Sequence, residues 1–297
     1  MRLATAAYPL DPVTCWAEYS DKLERWVAGA AAHADLLVFP EYAAMELAML
    51  AGPDVAGDLH RSLRAVSDRL ARADDVQARL AQSYGVHICA GSAPVFDPQY
   101  PDGPVNRARL ITPAGAVAVQ DKQIMTRWER EPMGAVPGGG VQVFDTALGR
   151  VAIVICYDAE FPLLGRAVHD AEILLVPSCT ETRSGYWRVR IGAMARALEA
   201  QCVSVMSSVV GEARWNDVAD TTTGAGGIFG PPDTGFPETG IIAEGRAGVP
   251  GWTFGQVDLD AIATVRADGQ VLGRAHWPEH EQRSTSAPIV PLDGSFA

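Results

Sequence analysis

The sequence predicts a single α/β domain with buried strands. Short runs rich in Val, Ile and Leu alternate with stretches whose apolar residues recur at helical spacing. No Pro/Gly/Ser-rich linker divides the 297 residues. A chain of this length buries roughly 75% of the surface its unfolded form exposes, so neither disulfides nor a structural metal are needed to hold a core.

Residues 2–8 read as the first strand. Trp16, Tyr19, Leu23, Trp26, Val27 and Ala30 then mark a helix, with Thr14 as a candidate cap. The apolar run Leu36-Leu37-Val38-Phe39 stops at Pro40-Glu41. Leu59, Leu63, Val66, Leu70 and Leu80 mark a second helix, followed by a strand at 86–90. Segments 106–112 and 116–121 flank the turn Pro113-Ala114-Gly115, giving a hairpin whose second arm runs into Asp121-Lys122. VAIVI at 151–155 ends at Cys156, and ILLV at 173–176 ends at Pro177. A helix over 186–200 and a strand over 202–206 come next. Gly- and Pro-rich stretches at 224–237 and 245–251 read as ordered loops. Residues 276–297 read as a polar, Pro-broken tail on the surface or on a partner chain.

Composition narrows the function. Lys plus Arg is 24 against 36 for Asp plus Glu, a net charge of −12. Nucleic-acid binders that track phosphates need clustered positive charge, so that class is excluded. With 48% hydrophobic and 20% charged residues the chain reads as globular rather than disordered. No apolar run reaches the ~20 residues that span a bilayer, so no membrane partner is expected. The opening MRLATAAYPLDP lacks the apolar stretch of a signal peptide. Cysteines at 15, 89, 156, 179 and 202 form no CxxC pair, which fits a reducing, cytoplasmic setting.

Open α/β sheets place ligands outside the carboxyl ends of their strands. Three polar residues directly follow apolar runs: Glu41 after LLVFP, Lys122 after AVAVQD and Cys156 after VAIVI. A thiol is a poor nucleophile near neutral pH unless its proton is removed or its pKa lowered. Glu41 could take the proton. A neighbouring Lys122 ammonium would favour thiolate and could hold an oxyanion. Together they suffice for attack on a carbonyl or nitrile carbon.

These segments are similar to a known family. FPEY at 39–42, DKQIMTRWERE at 121–131 and VAIVICYDAEFP at 151–162 resemble the three signature blocks of the carbon–nitrogen hydrolases, the nitrilase superfamily. The resemblance covers residues 1–275. It implies an α/β four-layer αββα sandwich that pairs into homodimers or larger homo-oligomers. It also implies Glu41 as general base, Lys122 as transition-state lysine, Cys156 as nucleophile and the Tyr157 backbone N–H as oxyanion donor. The family has a second Glu upstream of a Pro-Gly. Glu129 and Glu131 are both candidates, and Glu131 is preferred because it stands seven residues before Gly138. RALEA at 196–200 departs from relatives that carry Asn at position 200.

The implied substrate is a small amide, nitrile or N-carbamoyl compound, with no cofactor and no metal. Trp128, Glu160 and Trp187 lie near the motif blocks and could shape the pocket, or serve in the core or on the surface. Cys179 in VPSCT is a rival nucleophile without the Tyr-Asp-Ala-Glu continuation. Cys15, Cys89 and Cys202 read as packing residues. HWPEH at 276–280 matches a zinc pattern that requires a helix, but Pro278 favours a surface turn. Gly138-Gly139-Gly140 and 224–230 read as loops rather than phosphate cradles. The alternatives from other classes are a non-catalytic scaffold with a retained site, and a thiol redox protein.

Overall fold

A computed structural model describes residues 1–284 and 286–290. In chain order the strands are β1 (Arg2–Tyr8), β2 (Leu36–Val38), β3 (His87–Val95), β4 (Val105–Ile111), β5 (Val117–Asp121), β6 (Val143–Thr146), β7 (Gly149–Ile153), β8 (Ile173–Ser178), β9 (Val203–Val209), β10 (Gly211–Glu212), β11 (Thr221–Thr222), β12 (Gly227–Phe229), β13 (Ile241–Glu244) and β14 (Gly251–Gln256). The helices are α1 (Trp16–Ala31), α2 (Pro53–Ala56), α3 (Leu59–Ser67), α4 (Leu70–Tyr84), α5 (Arg127–Arg130), α6 (Pro162–Ala167), α7 (Arg183–Ala200), α8 (Leu259–Asp268) and α9 (Gly273–Arg283).

Strand pairing divides the large sheet into two leaves. One runs β5-β4-β3-β2-β1, with β14 antiparallel on β1. The other runs β6-β7-β8-β9, with β12 on the far side of β9 and β13 beyond it. Among the described residues, strand pairing joins the leaves only at the end of β9, where Ala7 and Tyr8 pair with Ser208 and Val209.

Side-chain alternation shows how the leaves stack. In β1–β3, Ala4, Ala6, Tyr8, Leu37 and Ile88 face a core completed by Tyr19, Leu23 and Val27 of α1, Leu63 of α3 and Val76 of α4. The alternate residues Leu3, Leu36, Val38 and Cys89 face a second core with Ile153, Leu175 and Val205. That second core continues to Val189, Ala193 and Ala197 of α7. The layers are therefore helices, sheet, sheet, helices, as the resemblance implies.

Several expectations need correction. Thr14 does not cap α1: Cys15 is the N-cap residue, and the Thr14 N–H and hydroxyl both donate to Glu18 Oε2, at 2.6 and 2.8 Å. The second helix is two, α3 and α4, broken at Asp68-Arg69. HWPEH is not a turn but part of α9, which carries Pro278 inside it and crosses the expected boundary at 275/276. Tertiary contacts override the proline there. The Trp277 ring lies 5.3 Å from the His169 ring and 5.0 Å from the Arg166 guanidinium, Arg166 also pairs with Glu281, and Arg274 reaches Asp170 at 3.0 Å. Of the expected tail, Thr285 and residues 291–297 lie outside the described residues.

Candidate active site

Four strand ends converge on one cavity of about 430 Å³. Glu41 stands three residues after β2, Lys122 directly after β5, Cys156 three residues after β7 and Cys179 directly after β8. The cavity is lined by all four, with Tyr42, Glu129 and Tyr157.

Local backbone geometry sets these ends. A Cβ on Gly91, whose φ is +73°, would fall 2.0 Å from the Pro40 carbonyl oxygen, so only glycine lets β3 approach the segment that carries Glu41. Gly138 lies as closely against Asp121, where a Cβ would come within 2.3 Å of the carboxylate. The next N–H, of Gly139, donates to Asp121 Oδ2 at 3.1 Å and so braces the residue before Lys122. Tyr42 and Cys156 have φ of 59° and 50°, in the left-handed region. Such residues cost about 1–3 kcal/mol each and persist where the surroundings over-determine them. Asp158 accepts from the N–H groups of Ile155 at 3.1 Å, Gln123 at 3.2 Å and Ile124 at 2.8 Å. It thereby ties the Cys156 turn to the Lys122 loop. Burial raises its carboxyl to about 6.

Glu41, Lys122 and Glu129 form a buried ionic set. Lys122 Nζ donates to Glu41 Oε1 at 2.8 Å and to Glu129 Oε1 and Oε2 at 2.8 and 2.7 Å. Asn106 Nδ2 bridges the two carboxylates, at 2.9 Å from Glu41 and 3.2 Å from Glu129. The other Glu41 oxygen accepts from the Cys179 N–H at 2.9 Å. Tyr42 donates its hydroxyl to Glu129 at 2.7 Å. Glu129 is held further by a capping box, in which its Oε2 accepts from the Thr126 N–H and hydroxyl, both at 2.9 Å.

Burial sets the protonation tendencies. It raises the Glu41 carboxyl, with Lys122 opposing and Glu129 assisting. Burial also pushes the Cys156 thiol well above its usual range, the charge of Glu41 adds to this, and Lys122 pulls the other way without prevailing. Lys122 does favour the thiolate, as expected, but desolvation and a nearby carboxylate outweigh one ammonium. For Lys122, burial favours the neutral amine, but Glu129 and Glu41 outweigh it and raise the pKa well above the ordinary value. Burial opposes ionisation of Glu129 as well, yet Lys122 and the capping donors bring its pKa below the ordinary value.

The structure gathers Glu41, Lys122, Cys156 and Tyr157, but not Glu131. Glu131 is exposed and pairs with Arg127 at 2.9 Å. Glu129, the other candidate, is the carboxylate that contacts Lys122. Trp128 and Glu160 line the cavity, whereas Trp187 lies outside the lining and is 47% exposed on α7. Cys179 lines the cavity, and its backbone serves Glu41 through the N–H and accepts from Cys156 Sγ at 3.8 Å through the carbonyl. Cys89 and Cys202 are buried in packing, but Cys15 is exposed. Tyr42, Asn106 and Asp158 were not singled out from the sequence. Tyr42 and Asp158 sit inside the FPEY and ICYDAEFP blocks, next to residues that were. Asn106 sits in VNRARLI, where nothing local distinguishes it.

Comparison with known proteins bears on this arrangement. The carbon-nitrogen hydrolase family model matches residues 5–230. The probable hydrolase YhcX of Bacillus subtilis (strain 168) is 34% identical over 278 residues, covering 91% of this chain and 52% of its own length. The deaminated glutathione amidase of Yersinia enterocolitica is 33% identical over 146 residues, covering 44% of this chain and 50% of its own. The chain thus spans about half the length of these curated relatives. A solved mutant of the amidase from Nesterenkonia sp. AN1, showing covalent addition of the acetamide moiety of fluoroacetamide at the active-site cysteine, shares the fold. Its TM-score is 0.66 over 96% of this chain and 97% of that one, at 21% identity.

Proposed function

The chain belongs to the carbon-nitrogen hydrolase family, and from that premise we propose that it hydrolyses small non-peptide amides through a thioester on Cys156. The observation that carries the reading is the buried Glu41–Lys122 pair, 2.8 Å apart, lining the same cavity as the Cys156 thiol. The amidase names of relatives support the amide as the bond attacked.

Because the resting thiol keeps its proton, the proton leaves during attack. Glu41 accepts it as sulfur bonds to the carbonyl carbon, and the carbonyl oxygen gains the negative charge. The Lys122 ammonium and the Tyr157 N–H hold that oxygen; losing one such donor typically costs about 3–4 kcal/mol of barrier. Glu41 then gives its proton to the departing nitrogen as the C–N bond breaks, leaving a thioester. Water, losing a proton to Glu41, attacks the thioester. The C–S bond breaks, Glu41 gives that proton to the departing sulfur, and the acid leaves with the thiol and the Glu41 carboxylate restored. Glu129 keeps Lys122 charged and aimed. Each step is proton or acyl transfer, which side chains supply. A reducing cytoplasm would keep the thiol in the state this cycle needs. Among the described residues no helix is long and apolar enough to cross a membrane.

Ammonia release across a panel of amides, ureides and nitriles tests the reading, with mass spectrometry of the trapped adduct. The expected result is turnover of small amides and an acyl mass on Cys156. Turnover with the adduct elsewhere, or no turnover of any amide, overturns it.

The same reading takes the protein as a homodimer or larger homo-oligomer. Leu163 of α6 and Trp187, Ile191 and Leu198 of α7 are exposed, 77% and 62% for Leu163 and Ile191, and make an apolar face on the outer layer. An Ile191→Glu variant is expected to sediment as a monomer. A monomeric wild type at micromolar concentration overturns the pairing.

A further inference from the structure

The cavity that holds the ionic set is strongly acidic. Two basic groups line it, against six carboxylates. Both bases are already matched: Lys122 lies between Glu41 and Glu129 on the floor, and Arg188 pairs with Glu160 at 3.4 Å on the wall. Glu181, Asp217 and Asp220 remain, all exposed, and among the described residues none has an ion pair within 4 Å. The N-terminus of α7 also opens on the cavity and carries roughly half a positive charge. Glu181, directly before the N-cap Thr182, offsets it, so Asp217 and Asp220 stay unbalanced. A feature of a different kind points the same way. Trp128, on α5, lines the cavity and is 38% exposed, and an indole face attracts cations.

We propose that the preferred substrate is a small amide bearing an organic cation, an ammonium or guanidinium group, a few bonds from the scissile carbon. This rests on the amidase reading and names the substrate class of the same site. The scissile amide sits over Cys156, and the cationic end lies toward Asp217, Asp220 and the Trp128 ring. An anionic end of the same length meets unmatched carboxylates instead. The protein's net charge of −12 draws the cation in as well.

The test compares kcat/KM for three amides of similar length: 5-aminopentanamide, hexanamide and the monoamide of adipic acid. The expected order is cation, then neutral, then anion, with the cation-to-neutral ratio falling as salt is raised. In a Glu181→Gln/Asp217→Asn/Asp220→Asn variant that ratio falls about fivefold, as expected for three exposed charges. Asp21→Asn, which removes one charge on α1 outside the cavity lining, leaves it at the wild-type value. An anionic amide turned over as well as the neutral one, or a salt-independent ratio, overturns the inference while leaving the amidase reading intact. No turnover of any amide and no adduct on Cys156 overturns both.

Discussion

Glu129 grips the Lys122 ammonium with both carboxylate oxygens, at 2.8 and 2.7 Å, while Glu131 turns to solvent and pairs with Arg127. Two residues along a helix are separated by about 200°, so the two carboxylates of this turn face opposite ways. Glu129→Gln is expected to lower kcat/KM about a hundredfold, since the lysine loses the charge that aims it, a change near 3 kcal/mol. Glu131→Gln removes only an exposed ion pair and changes it by less than about twofold. Equal losses in the two variants would contradict the assignment.

Cys156 and Cys179 line one cavity, and a trapping experiment separates them. Cys156→Ala is expected to abolish the acyl adduct seen by intact-mass measurement with a slowly deacylating substrate. Cys179→Ala keeps the adduct, because the contacts of that residue with Glu41 and Cys156 are made by its backbone. An adduct that persists in Cys156→Ala would assign the chemistry to another residue.

The raised pKa of Glu41 predicts the acid limb of the pH profile. As the proposed base it must be ionised, and its ionised fraction falls as pH drops through its folded-state pKa. Burial places that value above the 4.5 of an ordinary glutamate. The acid limb of kcat/KM, which reports the free enzyme, is therefore expected to have its midpoint above 4.5. A midpoint at or below 4.5 would mean that burial does not govern this carboxylate.

Asn106 joins the two glutamates through one amide nitrogen. Asn106→Ala leaves each carboxylate one donor short in a buried place, which costs about 1–3 kcal/mol. The expectation is a fall in kcat/KM of about tenfold or more, with the circular dichroism spectrum retained. Wild-type kinetics would show that Lys122 alone suffices to position both.

A second buried pair, outside the cavity, is read by stability. Glu46 accepts from Lys22 and from the Tyr8 hydroxyl, and both Glu46 and Lys22 are buried. Glu46→Ala leaves the ammonium with the Pro9 carbonyl, the Tyr8 ring 4.3 Å away and the half-exposed Asp11. Denaturant unfolding is expected to show a loss of about 2–4 kcal/mol, below the full cost of an orphaned buried charge because Asp11 remains. A loss below about 1 kcal/mol would show that Asp11 compensates fully.

The sequence by itself determined β1–β5 and β7–β9 and what stands at their ends, whereas β12 lies inside the 224–237 stretch that reads as a loop. Both follow from local patterning: apolar runs such as VAIVI form strands wherever they are buried, and the residues that end them, Glu41, Lys122 and Cys156, are covalently fixed there. Periodicity could not say which leaf a strand joins. That β9 pairs with β8, with β12 and, at its last residues, with β1 depends on partners far away in the chain. For the same reason the proline in α9 was misread, since its contacts come from 166–170. Only the tertiary structure chose Glu129 over Glu131, recruited Asn106 and decided the resting state of the thiol. Each depends on the direction in which a side chain points and on how much water its neighbours exclude, quantities that linear spacing does not encode.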